Sequence, residues 1–105
     1  MPRRSTGGLR YSSAAARQYR AQLKHYATTS PGLELLFAAA IQQAEMLAFG
    51  NPEGFARVFD DDDLRAIVVR RFPFKLFYVV RGDFVVIVRV THTARSIGAL
   101  SRGRS

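Results

Sequence analysis

Two groups of side chains in this sequence have types and spacings that could meet a phosphate or a charged partner. His92 and Arg95 stand three residues apart, just past an apolar run ending near Thr91, so one small loop can present both. An imidazole changes charge near neutral pH, which suits it to move a proton beside a guanidinium that holds a phosphate. The same two residues could equally cap a strand end and pair with an acidic loop. Arg70, Arg71 and Lys75 flank Phe72-Pro73-Phe74. Cations next to aromatic rings fit phosphates and bases, whereas a solvated turn would simply use its phenylalanines to close a core. The run Asp60-Asp61-Asp62-Asp63 lacks the spacing of a Ca²⁺ loop, and four consecutive carboxylates cannot converge on one ion, so it reads as a solvated loop. His25 has no second histidine or acid in sequence reach and reads as a surface residue. There is no cysteine, hence no disulfide framework and no thiolate metal site. No cofactor, metal or small-molecule substrate is implied.

The 105 residues fit one domain, 1–105, with basic tails at 1–8 and 98–105 expected to be flexible. The net charge of +8 is unevenly spread. Residues 1–24 hold Arg3, Arg4, Arg10, Arg17, Arg20 and Lys24 and no acid, while residues 65–105 hold nine Lys/Arg against Asp83 alone. Such a field favours a polyanionic partner, either nucleic acid or an acidic protein segment. No signal-like segment follows the basic start. The longest unbroken apolar run, Leu35 to Ile41, is seven residues, against the roughly 20 that a membrane span requires. A cytoplasmic protein with no membrane partner is expected.

The elements that must position these side chains follow from periodicity. Leu9 to Ser12 reads as a short strand. Ala16, Tyr19, Leu23, Tyr26 and Ala27 recur at helical spacing, predicting a helix over about 13–28 capped by Ser12 or Ser13, with Arg17, Arg20 and Lys24 on its other face. A second helix is expected over 31–49, with Ser30 as N-cap and Pro31 at its first position. Its predicted core stripe is Leu33, Leu36, Phe37, Ala40, Ile41, Ala44 and Leu47/Ala48. Three segments rich in Val, Ile, Phe and Tyr follow, 64–70, 75–80 and 84–91, with Gly82-Asp83 as a two-residue hairpin turn. That turn sets Arg81 opposite Phe84, Tyr78 opposite Ile87 and Leu76 opposite Arg89. The face with Phe77, Val79, Val86, Val88 and Val90 is expected under the helices. The face with Leu76, Tyr78, Val80, Val85, Ile87 and Arg89 is then left for a partner. The class is α+β: a short N-terminal strand, an α-helical hairpin, then an antiparallel β-meander packed against the helices.

This order, together with Leu64-Arg65, Arg70-Arg71-Phe72-Pro73-Phe74, Phe77-Tyr78, Gly82-Asp83, Val88-Arg89-Val90 and His92-Thr93-Ala94-Arg95, resembles the RelE/ParE toxin superfamily over about residues 9–97. Pro52 and Gly54 also fall where that family has a Pro and a Gly after its helical hairpin. The resemblance implies the toxin of a type II, plasmid stabilisation-like toxin–antitoxin pair, neutralised by a cognate antitoxin expected to be acidic. RelE-like members cleave mRNA in the ribosome with cations and a tyrosine, while ParE-like members bind and poison DNA gyrase. The RelE lysines fall here on Ala66 and Val68, its hairpin arginine on Lys75, its later arginine on Thr93 and its catalytic tyrosine near Ala99. Alanine and threonine cannot stabilise a phosphorane or move its proton, so the chain resembles ParE more than RelE and no catalytic residue is assigned.

The target-binding candidates are Arg65, Arg70, Arg71, Lys75, Arg89, His92 and Arg95. The antitoxin-binding candidates are Arg17, Arg20, Lys24, Tyr78 and Ile87. Two alternatives stand beside the gyrase reading: a ribosome-associated mRNA endonuclease built on Lys75, Arg89, His92 and Arg95, and a non-toxic, binding-only relative.

Overall fold

Ser12 ends the first strand and starts the first helix. Its N–H donates to the Ile87 carbonyl at 2.9 Å, and its Oγ accepts from the Ala15 N–H at 3.0 Å as a helix N-cap. In the computed structural model, which describes residues 8–58 and 63–93, the order is β1 (Gly8–Tyr11), α1 (Ser13–Thr29), α2 (Leu33–Gly50), β2 (Arg65–Val69), β3 (Phe74–Arg81) and β4 (Phe84–His92). Gly8, expected in the N-terminal tail, is instead the first residue of β1, and the rest of the two expected tails, with Asp60–Asp62, Arg95 and Ala99, lies outside the described residues.

The two helices meet with one correction. Ser30 does not cap α2; its N–H instead closes α1 on the Tyr26 carbonyl at 3.0 Å. The α2 N-cap is Gly32 at φ +97°, a left-handed conformation that favours glycine, and its N–H donates to Glu34 Oε1 at 2.9 Å. The tight Ser30-Pro31-Gly32 connection therefore shifts the helix start to Leu33.

The sheet order is β1-β4-β3-β2. β2, β3 and β4 form the expected antiparallel meander, while β1 joins β4 in parallel, so the sheet is mixed. The hairpin register matches expectation near the turn, with Arg81 opposite Phe84 and Tyr78 opposite Ile87, and Gly82 at φ +60° leading the turn. It then slips. Phe77 faces Arg89, so Val88 is an extra residue on β4, and Leu76 faces Val90 rather than Arg89. This β-bulge exchanges the faces of the β4 residues beyond it, while β3 keeps its regular alternation.

The helices cover the opposite sheet face from the one expected. Ile67, Val69, Phe74, Leu76, Tyr78, Val85, Ile87 and Val90 are buried against Ala15, Phe37, Ile41, Ala44 and Ala48. Phe77, Val79, Val86 and Val88 lie on the far face and are half-buried. Both faces of β3 and β4 are apolar, so side-chain type alone does not choose between them. β1, α1, α2 and β2 form a crossover between strands that run the same way, and the hand of such a crossover decides which face its helices occupy.

The α2 stripe is also narrower than its sequence suggests. Leu36 and Leu47 are 62% and 47% exposed. By length and composition α2 is apolar enough to cross a membrane. Part of that apolar character comes from its buried Phe37, Ile41, Ala44 and Ala48 against the sheet, and part from an outer ridge.

Candidate functional site

The β2–β3 corner is positioned by aromatic rings. Phe72 meets Tyr26 and Phe37 edge-on at 5.4 and 5.2 Å between centroids, and Phe74, buried, meets Phe37 at 5.2 Å. Edge-to-face pairs at this spacing add to simple area burial. The phenylalanines of the corner thus belong to the core, and they hold Arg70 and Arg71 out in solvent. Arg71 sits at φ +72°, uncommon for a residue with a Cβ. Between this corner and α2 runs a groove of about 560 Å³ lined by Leu36, Ala39, Gln43, Arg70, Arg71 and Phe72. Its floor is apolar, and Arg70 and Arg71 stand exposed on its lip, where they would draw an acidic segment to the corner.

The far face of the sheet is the second surface. Across β2, β3 and β4 it presents Ala66, Val68, Phe77, Val79, Val86 and Val88, with Val68 58% exposed. Cations border this face. Lys75 lies opposite Val68 and Thr91, Arg89 opposite Phe77, and Arg81 opposite Phe84. On β1, the Arg10 guanidinium stands 4.0 Å above the Phe84 ring. Arg81 also pairs with Asp63 at 3.6 Å, an exposed contact worth little in water. An apolar centre with a cationic rim is the make-up of a protein-binding patch. Sequence reasoning missed the apolar members of this patch because it assigned them to the core. The signal that could have found them is an apolar surplus on both faces of β3 and β4, when one helical layer can cover only one.

The predicted site residues divide accordingly. Arg70, Arg71, Lys75 and Arg89 point to the surface around these two regions. Arg65 is tied down by structure: its Nη1 donates to the Phe55 carbonyl at 2.7 Å and to that of Glu53 at 3.3 Å. His92 is half-buried, pairs with Phe74 across the hairpin, and packs edge-on against its ring at 5.2 Å. Lys75 and Arg89 are on the other face, so the structure does not bring His92 together with them. Thr93 is half-buried, its N–H donating to the Pro73 carbonyl at 2.7 Å.

Tyr78 and Ile87, expected to meet the antitoxin, are both 0% exposed, and this assignment is corrected. The cause is the choice of sheet face described above. Tyr78 serves the interior instead. Its hydroxyl donates to the Pro52 carbonyl at 2.6 Å and anchors the chain as it leaves α2. Burial pushes its phenol up to about 12, with Arg65 nearby opposing the shift. Arg17, Arg20 and Lys24 are exposed along α1, as expected.

Comparison with known proteins agrees with this architecture. A family model described as the ParE toxin of the type II toxin–antitoxin system parDE matches residues 9–97. The solved structure titled "Chromosomal ParDE TA system from P. aeruginosa" shares the fold with a TM-score of 0.68 at 24% identity, over 81% of this chain and 94% of the other. No curated protein matches. With the family model covering nearly the whole described fold, this chain belongs to the ParE toxin family of type II toxin–antitoxin systems.

Proposed function

We propose that the chain arrests bacterial growth as a ParE-like inhibitor of DNA gyrase, by protein–protein contact rather than bond cleavage, and that an acidic antitoxin neutralises it in the cytoplasm. The observation that carries this reading is the open sheet face. Where the ribonuclease relatives have lysines, this face has Ala66 and an exposed Val68, and its apolar centre continues through Phe77 and Val79. Such an apolar centre can grip a protein, and Ala66 and Val68 put no cation at the two positions where those relatives set charge against a phosphorane. The cations around it speed encounter with an acidic surface and add specificity more than affinity.

The test is a gyrase supercoiling assay with purified toxin, beside induced expression without antitoxin. Supercoiling should be blocked and then restored by stoichiometric antitoxin, and expressing cells should filament with a DNA-damage response. Val79→Glu, which places an unpaired carboxylate in the patch, should weaken inhibition by about tenfold or more while leaving the circular dichroism spectrum intact. Supercoiling that proceeds unaltered at high toxin concentration, or rapid transcript cleavage in a translating extract, would reject the gyrase reading.

A further inference from the structure

We propose that the outer ridge of α2 is the interface of a two-fold symmetric homodimer, in which α2 packs antiparallel against α2 of a second copy. The ridge consists of Leu35, Leu36, Met46 and Leu47, exposed at 68, 62, 66 and 47%, with Ala39 and Gln43 between them. At 3.6 residues per turn Leu35, Ala39 and Met46 project from the side of α2 opposite Phe37, Ile41, Ala44 and Ala48, which enter the core, and Gln43, Leu36 and Leu47 flank them on one side. A monomeric protein rarely leaves four large apolar side chains aligned in water.

The distribution along the helix identifies the occupant. Two large side chains stand at each end, equally far from Ile41, and the small Ala39 and short Gln43 lie near the centre. A two-fold axis at that centre brings the Leu35/Leu36 end onto the Met46/Leu47 end of the second copy, twice over. Leu35 meets Met46 and Leu36 meets Leu47, while Ala39 allows the two backbones to approach. A surface that matches its own reversal is what an isologous interface requires. Leu35, Ala39, Gln42 and Met46 also recur at spacings of four, three and four, the pattern of a packed helix seam.

Charge points the same way. The chain carries +8, and no Lys or Arg occurs between Lys24 and Arg57. Two copies meeting through α1 or the sheet would oppose cation to cation, whereas the α2 ridge brings none of its own, its neighbouring Arg70 and Arg71 standing across the groove from Leu36. An acidic partner, in turn, gains no attraction from an uncharged ridge and is drawn to the arginines beyond its edge.

The experiment uses two single variants of the full chain, Leu35→Glu and Met46→Lys, in analytical ultracentrifugation over a range of concentrations. Both positions are two-thirds exposed, so the fold should survive, and circular dichroism checks this. The unaltered chain should sediment at twice its monomer mass at tens of micromolar. Each variant alone should dissociate at least about tenfold more readily, because a lone charge is left against apolar surface. Mixed in equal amounts, the two should associate again, since the introduced carboxylate of one chain then faces the introduced ammonium of the other. The proposal is overturned by an unaltered chain that stays monomeric, by single variants that still dimerise, or by variants that fail to recover on mixing. It is equally overturned if the ridge variants keep the mass of the unaltered chain and lose only antitoxin binding.

Discussion

Gln18 shows how one side chain can hold two layers in register. The Val90 N–H lies past the bulge and beyond the four residues over which β1 pairs with β4, so it has no strand partner on that side. Gln18 Oε1 accepts from it at 2.8 Å, reaching 72 positions along the chain. Ser12 plays a similar part six residues earlier, its Oγ donating to the Val88 carbonyl at 3.3 Å. Gln18→Ala should destabilise the fold by about 1–3 kcal/mol, the cost of leaving a partly buried donor without its acceptor. Urea unfolding monitored by circular dichroism measures this, with the exposed Ser13→Ala as a near-neutral control. An equal effect for both would mean that the Val90 amide finds water instead. His92 is instructive in another way. Its residue type and its spacing to Arg95 suggested proton chemistry, but its ring packs against Phe74. A histidine at a strand end takes its role from the face it lands on, which sequence spacing does not encode.

Among the elements, cations are sorted onto two exposed rows that flank the helical hairpin. Arg17, Arg20 and Lys24 line α1, and Arg70 and Arg71 cap the β2–β3 corner above the α2 groove. An acidic antitoxin segment laid across the hairpin would be steered by both. Double reversal at Arg17 and Arg20, or at Arg70 and Arg71, to glutamate should slow association by about tenfold at low salt. The difference should shrink at high salt, where the Debye length falls to roughly 3 Å. Stopped-flow mixing of toxin with antitoxin checks this, and unaltered association rates would remove electrostatic steering from the account. The existence, type and approximate bounds of every element were legible beforehand, because helix and strand periods are local. The caps and the bulge were not. Gly32 rather than Ser30 caps α2 because the connection needs a left-handed residue there, and Val88 bulges where the α1 N-cap Ser12 and Gln18 of α1 supply hydrogen bonds on one side of β4.

Across the fold as a whole, the four tyrosines link the core to pH. Tyr11, Tyr19, Tyr26 and Tyr78 all have phenols raised above the ordinary value, with burial the leading cause in each. For Tyr11 the hydrogen bond that its hydroxyl donates to Glu45, 2.5 Å long, adds to the shift. A raised phenol is held neutral by the fold, so its contribution to stability is complete below about pH 10 and is lost as pH climbs through 10 towards the folded value. Ultraviolet phenolate absorbance should therefore rise late and together with the loss of helical circular dichroism. Gradual ionisation near pH 10 with the helices intact would show the rings to be solvated.

The succession of elements, the tight turn at Gly82-Asp83, the core placement of Phe72 and Phe74, and the family could all be read from the amino-acid order alone. Each is written in neighbours a few residues apart or in an ordered set of motifs. Which face of the sheet is covered emerged only from the packed chain, and with it that Tyr78 and Ile87 are internal while Val68, Phe77 and Val79 are available to a partner. Both faces of β3 and β4 are apolar, so pattern was degenerate between them. The hand of the crossover, the one-residue slip at Val88 and contacts spanning some 70 residues broke the tie.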